Sequence, residues 1–325
     1  MDRKVLVTGG CGYIGSFMVK TLLERGYTPI VLDNLTRGSK EALPENVAFY
    51  QGNVSDREVL SRIVADHKID GVIHFAGFIS MKESMEKPGL YFDQNVFETQ
   101  RLLENMNEFG IKNIIFSSTA GVYGNPERVP VREDDRKVPT NPYGESKLMV
   151  EQMLSWYQRI HGISYVVLRY FNACGAALDG SFGERHDPET HIIPIALKAV
   201  KDGTEFVVYG EDYETPDGTC VRDYIHVLDL SQAHVLALEK IINSPGRYTF
   251  NVGTGNGYSN KDIVETIKKV TGKELNVRFE GRRPGDAGVL VADVSKIKTE
   301  LQFDPKFSDL TTIIDSAWKW HNKDN

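Results

Sequence analysis

Val5-Leu6-Val7-Thr8-Gly9-Gly10-Cys11-Gly12-Tyr13-Ile14-Gly15-Ser16 runs from a short apolar stretch straight into a glycine-rich turn. The first three residues have the make-up of a strand buried on both faces, and a helical stretch follows the turn as far as Gly26. Gly9, Gly12 and Gly15 recur at every third position. Glycines so placed permit a tight turn and let the backbone approach a pyrophosphate at a helix N-terminus, whose N–H groups and dipole favour anions. Glycine-rich turns also serve as plain connections, so the next strand carries weight. Asp33 closes Pro29 to Leu32, eighteen positions after Gly15, where a carboxylate accepts hydrogen bonds from adenosine ribose hydroxyls. A carboxylate repels a 2′-phosphate, so NAD is expected rather than NADP; the neighbouring Arg37 tempers that preference.

Outward from this turn, Ile30-Val31-Leu32, Ala48-Phe49-Tyr50, Val72-Ile73, Ile114-Ile115-Phe116 and Val166-Val167-Leu168 read as further buried strands. The segments between them are long enough for crossover helices. Such repeats predict an α/β fold, a Rossmann-type doubly wound parallel sheet with a smaller C-terminal α/β substrate domain. After Arg169-Tyr170-Phe171-Asn172 the chain becomes loop-rich, at Gly180 to Pro188 and at Glu211 to Gly218, with helices expected at Ile192 to Lys201 and Leu228 to Ile242. The expected domains are 1–171 for the cofactor and 172–325 for the substrate. The boundary is soft, because chains of this type can return to the first domain.

Of the 325 residues 41% are apolar, enough for a sizeable core, which excludes a disordered or fibrous chain. Lys and Arg number 38 against 45 Asp and Glu, a formal net charge of −7 without long like-charge runs. That balance argues against nucleic acid or an anionic membrane as partner, so an anionic ligand needs a local site. Three cysteines far apart, Cys11, Cys174 and Cys220, fit a reducing compartment. No apolar run reaches membrane-spanning length, and Gly9-Gly10 follow the N-terminus too closely for a signal peptide. The expectation is a cytoplasmic protein.

Tyr143-Gly144-Glu145-Ser146-Lys147 opens a helix after Pro142. Residues four apart share a helical face, and a nearby ammonium favours a phenolate, bringing tyrosine into range as a base. About one such pair is expected by chance in a chain of this size. Tyr143 is nevertheless the one tyrosine of the 14 with a lysine four positions later. The pair also follows Ser117-Ser118-Thr119 at the end of a buried-looking strand, where open parallel sheets bind ligands.

The chain resembles the extended short-chain dehydrogenase/reductases from end to end. The resemblance rests on Gly9 to Ser16, Asp33-Asn34-Leu35, His74-Phe75-Ala76-Gly77, Ser117 to Gly124, Pro142 to Lys147, Leu168 to Asn172 and Asp217 to Val227. The last segment is similar to the branch that inverts carbon 4 of UDP-hexoses. What this implies is reversible epimerisation of UDP-galactose and UDP-glucose through a 4-keto sugar, with tightly bound NAD. By the same resemblance Tyr143 is the base, Lys147 lowers its pKa and holds the nicotinamide ribose, and Thr119 holds the 4-oxygen. Gly9, Gly12, Tyr13, Ile14, Gly15, Asp33, Asn34, Asn53, Val54, Phe75, Ala76, Gly77, Asn95, Ser117 and Tyr170 would join Tyr143 and Lys147 in binding NAD. Asn172, His191, Ile192, Tyr209, Arg222, Arg283 and Asp286 would join Thr119 and Tyr143 in binding the UDP-sugar. Related dehydratases place an Asp-Glu pair after the threonine; Ala120-Gly121 stand here, which implies no elimination.

Three positions depart from the family pattern. Asn53 replaces an aspartate near adenine, Ile79 a cofactor-contacting lysine, and Leu290 has a size that leaves N-acetylated sugars open. His186 to His191 reads either as a metal cluster or as a substrate loop; the loop is favoured and no metal is expected. Helices are expected at Asn95 to Asn107 and Lys147 to His161. The apolar stripe Val96, Leu102, Leu103, Met106 and Phe109 serves either a homodimer, as the resemblance implies, or the core. Rival readings are a 4-epimerase of UDP-glucuronate, a UDP-pentose or a UDP-N-acetylhexosamine, and a non-catalytic dinucleotide sensor.

Overall fold

The computed structural model describes residues 3–185, 189–283 and 285–323. His186, Asp187, Pro188 and Pro284 lie outside the described residues. Seven strands form one parallel sheet: β1 (Lys4–Thr8), β2 (Thr28–Asp33), β3 (Ala48–Gln51), β4 (Ile69–His74), β5 (Asn113–Thr119), β6 (Ser164–Tyr170) and β7 (Arg247–Val252), in the order β7-β6-β5-β4-β1-β2-β3. Every stretch expected to be a strand is one. The order reverses beside β1, so a crevice opens at the carboxyl ends of β1 and β4.

Alternation along each strand divides the core in two. Val5 and Val7 of β1, with Val31, Ile73 and Ile115, pack on Met18, Val19 and Leu22 of α1 (Tyr13–Glu24). The same layer takes Leu230, Ala237 and Leu238 from the helix Val227–Asn243. On the opposite face Leu6, Ile30, Val72, Ile114 and Phe116 meet α2 (Arg57–Asp66), α3 (Glu98–Glu108) and α4 (Pro142–His161). These strand residues are almost without exposure, and each buried aliphatic contributes about 1.5–3 kcal/mol. The sheet is therefore doubly wound. β7 returns to it from beyond residue 172, pairing with β6 from Arg247 opposite Tyr165 to Val252 opposite Tyr170.

The remaining C-terminal segments build a smaller α/β layer. Strands Glu205–Tyr209 and Asn276–Glu280 pair in parallel, and helices Ile192–Asp202, Asn260–Thr271 and Leu310–His321 enclose Ile193, Leu197, Ile263, Ile267 and Ile313. No helix among the described residues is long and apolar enough to cross a membrane. Of the expected stripe, Leu102, Leu103 and Met106 are fully buried in the core layer of Leu6 and Ile30, Phe109 packs against it partly buried, and Val96 is buried outside it. Phe97, Met149, Trp156 and Ile160 are the exposed apolar residues of that region instead.

Candidate active site

In the turn after β1, Gly9 and Gly15 are positions that only glycine fits. Gly9 has φ of 70°, and a Cβ on it would lie 2.6 Å from the Ala76 nitrogen. A Cβ on Gly15 would lie 2.2 Å from the Gly9 carbonyl oxygen. Gly12 begins α1 with no side-chain cap, which leaves the dipole's positive end to a ligand. Asp33 is 7% exposed and accepts from the Cys11 and Leu35 nitrogens at 2.9 and 2.8 Å. A carboxylate keeps acceptor capacity beyond those two bonds. These features fit a dinucleotide. Arg37 is engaged by Glu83 at 3.0 Å and stacks on Phe78, an arrangement that spends its charge on a carboxylate.

Several other residues expected to bind the cofactor follow β2, β3 and β4 in the chain. Asn34 donates from Nδ2 to Asn53 Oδ1 at 2.8 Å, so the oxygen assigned to adenine already has one partner and one lone pair left. Val54 is buried beside them. The Phe75 and Ala76 nitrogens both donate to the Thr8 carbonyl. Asn95, in a π turn at Phe92–Phe97, accepts from the Phe78 nitrogen at 2.7 Å and donates to Ser146 Oγ at 2.9 Å. Gly77 abuts it, a Cβ there lying 2.9 Å from Asn95 Oδ1. Tyr13 turns its phenol away, donating to the Gly175 carbonyl at 2.6 Å, while Ile14 packs in the adjoining apolar cluster. Ile79 is exposed.

The reactive groups stand where β5, β6 and α4 converge. Asn141 caps α4 by accepting from the Gly144 nitrogen at 2.9 Å, and Pro142 occupies the first turn, both ordinary helix starts. Lys147 is 4% exposed and donates to the Ser117 carbonyl at 3.0 Å. Burial lowers its ammonium to about 8. Tyr143 stands beside Thr119, which favours the ionised phenol and whose Oγ1 accepts from the Gly121 nitrogen at 3.0 Å. Burial raises the Tyr143 phenol and its neighbour Thr119 opposes that rise, while Lys147 Nζ keeps two of its three N–H groups beyond the Ser117 bond. Tyr170 neighbours Ser117 and Tyr143; burial and Tyr143 raise its hydroxyl, and Ser117 opposes them.

Three further residues of the site carry no signal in the sequence. His234 places Nε2 3.4 Å from Ser117 Oγ and its ring 6.1 Å from that of Tyr170. Tyr91 packs edge-on against Tyr143 at 6.5 Å. Asp223 is a buried hub, accepting from Thr254 N and Oγ1 at 2.8 Å, Gly255 N at 3.0 Å and Ala292 N at 3.2 Å. Its main-chain oxygen accepts from Asn172 Nδ2 at 2.8 Å. It sits in the quoted stretch Asp217 to Val227, yet no spacing rule marks a residue that works by gathering backbone amides.

On the C-terminal side Arg222 lies 4.0 Å from Asp286, and the Arg283 guanidinium lies 3.8 Å over the Tyr209 ring. Leu290 stands opposite Arg222 in a short parallel pairing. His191 donates to Glu184 at 2.6 Å and approaches Glu189 at 3.4 Å; burial opposes its charge, but these carboxylates raise it to about 10. Glu184, Glu189 and His191 keep their ligand atoms within 4.8 Å of one another, as an ion-paired cluster around a protonated imidazole. Ile192 begins the next helix.

Residues 5–253 match the NAD dependent epimerase/dehydratase family. The chain is 48% identical to the UDP-glucose 4-epimerase of Lacticaseibacillus casei over 318 residues, 98% of this chain and 96% of that protein. Its fold superposes with a TM-score of 0.94 on UDP-glucose 4-epimerase from Brucella ovis in complex with NAD, at 45% identity and 97% coverage of both chains. The enzyme from Bifidobacterium longum in complex with NAD+ and UDP gives 0.92, at 38% identity and 98% coverage of both chains.

Proposed function

Because the chain belongs to the NAD dependent epimerase/dehydratase family, we propose that it inverts carbon 4 of UDP-galactose and UDP-glucose reversibly, through a 4-keto sugar, with NAD held in the glycine crevice. The observation that carries this reading is the convergence of Tyr143, Thr119 and Lys147 at the end of β5 beside the crevice. When bound, NAD supplies a reversible hydride acceptor for carbon 4 and a positive charge near the phenol. The chain's own residues manage the proton. Thr119, beside the Tyr143 hydroxyl, orients the sugar 4-oxygen in this reading, so that Tyr143 removes its proton and later returns it. The Lys147 ammonium stabilises the phenolate from one helical turn away. Ala120 and Gly121 follow Thr119 and can transfer no proton, which favours inversion over elimination.

For the UDP-sugar, Arg222 and Arg283 offer planar forks suited to phosphate oxygens, with Asn172, Asp286, Tyr209, His191 and Ile192 around them. We assign the protein to the cytoplasm, a setting its three buried, unbridged cysteines suit, and to a homodimer. Exposed Phe97, Met149, Trp156 and Ile160 support the dimer, which sedimentation tests; a monomer at micromolar concentration removes it.

Incubation of the purified protein with UDP-galactose and no added cofactor tests the activity. UDP-glucose should form, and denaturation should release NAD. Protein that releases NAD but leaves UDP-galactose unchanged overturns the reading.

A further inference from the structure

Behind the convergence of Tyr143 and Lys147 lies a buried ion pair that the proposed chemistry does not use. Ser118 of β5 stands opposite Arg169 of β6, and Thr119 opposite Tyr170. Alternation therefore sends Thr119 and Tyr170 to one face of the sheet and Ser118 and Arg169 to the other, where α4 packs. Glu151 of α4 meets them. It accepts from Arg169 Nε at 2.9 Å and Nη2 at 2.5 Å, and from Ser118 Oγ at 2.6 Å. The two charged side chains are 6% and 8% exposed. Arg169 Nη1 donates to the Tyr123 hydroxyl and to the Glu133 carbonyl, both at 2.9 Å, and Tyr123 donates to Asn251 Oδ1 at 2.6 Å.

Glu151 follows Lys147 by four residues, the spacing at which a carboxylate and an ammonium on one helix meet. Lys147 instead donates to Ser117, and Glu151 is saturated by Arg169 and Ser118. We propose that Arg169 and Glu151 are positioning residues. Their pair clamps α4 to β5 and β6, and it keeps the Glu151 carboxylate off Lys147 so that the ammonium serves the Tyr143 phenol. The inference rests on the function proposed above.

The other ionisable groups around the pair are Tyr123, Glu133 and Lys137 from the segment between β5 and α4, and Tyr165 of β6. His74 faces Lys147 and is held uncharged by burial, with Lys147 adding to that effect. Tyr143 lies about 12 Å along the helix from Glu151, eight residues at about 1.5 Å each. At that distance one uncompensated buried charge moves a neighbour by about 0.5–1 pH unit.

The test is the pH profile of kcat for UDP-galactose, read on protein shown to carry NAD. Arg169→Met exposes Lys147 and Tyr143 to an unpaired carboxylate and should move the alkaline-going rise up by about 0.5–1 pH unit. Glu151→Gln leaves an unpaired guanidinium and should move it down. The double variant Glu151→Met with Arg169→Met, neutral overall, should return the rise to its wild-type position. Should Arg169→Met not fold, Arg169→Lys keeps the charge without the bidentate fork, and should lower kcat with the rise unmoved. Wild-type protein that does not turn over UDP-galactose removes the proposed function. Active wild type whose variants lose activity with no opposed shifts leaves that function standing and overturns the assignment of Arg169 and Glu151.

Discussion

The Nζ of Lys147 lies 3.0 Å from the carbonyl oxygen of Ser117. Helix and strand are thereby tied at the point where β5 ends, and Tyr143, one turn earlier on the helix, meets Thr119, two residues further along the strand. The proposed base is thus positioned by one cross-connection between two regular elements.

Replacing Tyr143 by Phe removes the base and leaves the crevice intact. Turnover of UDP-galactose should fall by about 10²–10⁴-fold, with bound NAD unchanged on release by denaturation. Thr119→Val should cost less, about 10–100-fold, the scale of one hydrogen bond to a charged group. Near-normal turnover in Tyr143→Phe rules that residue out as the base.

Arg222→Met and Arg283→Met should act on binding. Each removes charge-assisted contacts to phosphate, so KM should rise by about 10–100-fold with kcat little changed. Arg283→Lys should not rescue, because an ammonium lacks the flat fork that stacks on Tyr209. An unaltered KM in both arginine variants removes the diphosphate from this corner.

A methyl group at Gly15 would collide with the Gly9 carbonyl at 2.2 Å. Gly15→Ala should lower stability by about 1–3 kcal/mol and release NAD during purification. Gly26→Ala is the control. Its φ is 76° but nothing lies within 4 Å, so NAD should be retained and the loss confined to about 1 kcal/mol. Equal NAD content in both variants contradicts the cradle.

His74, His226 and His234 are buried, and burial lowers them to about 3, 4 and 4 respectively. Their folded values lie below the unfolded value of about 6.5. The unfolded chain therefore takes up protons first as pH falls, and stability should drop from about pH 6.5 towards pH 4, by up to about 1.4 kcal/mol per pH unit for each. Above pH 7 these groups contribute no slope. Urea midpoints at pH 7.5 and 5.0 measure this, and equal midpoints refute it.

Most of the sheet was legible because its cues are local. Val5 to Ser16 carries strand, turn and helix in one run, and the buried strands announce themselves as short apolar stretches between helical lengths. The Tyr143–Lys147 spacing was equally plain. The phenol's electrostatics were not, since spacing places the ammonium near Tyr143 but does not disclose that burial raises the phenol or that Lys147 Nζ donates to the Ser117 carbonyl. The stripe Leu102, Leu103 and Met106 likewise shows that apolar residues on one face are buried, without saying against what.

By itself the sequence determined the doubly wound sheet, the glycine cradle, Asp33 at the end of β2 and the shared helical face of Tyr143 and Lys147. The local part of each, an apolar strand, a glycine-rich turn, an acid at a strand end or a shared helical face, follows from chain periodicity, while the order in which the strands pair does not. Only the tertiary structure decided that Glu151 belongs to Arg169 and not to Lys147, that Asp223 gathers the amides of Thr254, Gly255 and Ala292, and that burial raises Tyr143. Those outcomes turn on which distant groups share a buried space, and in a medium that screens charge weakly the nearest partner in space prevails over the nearest in sequence.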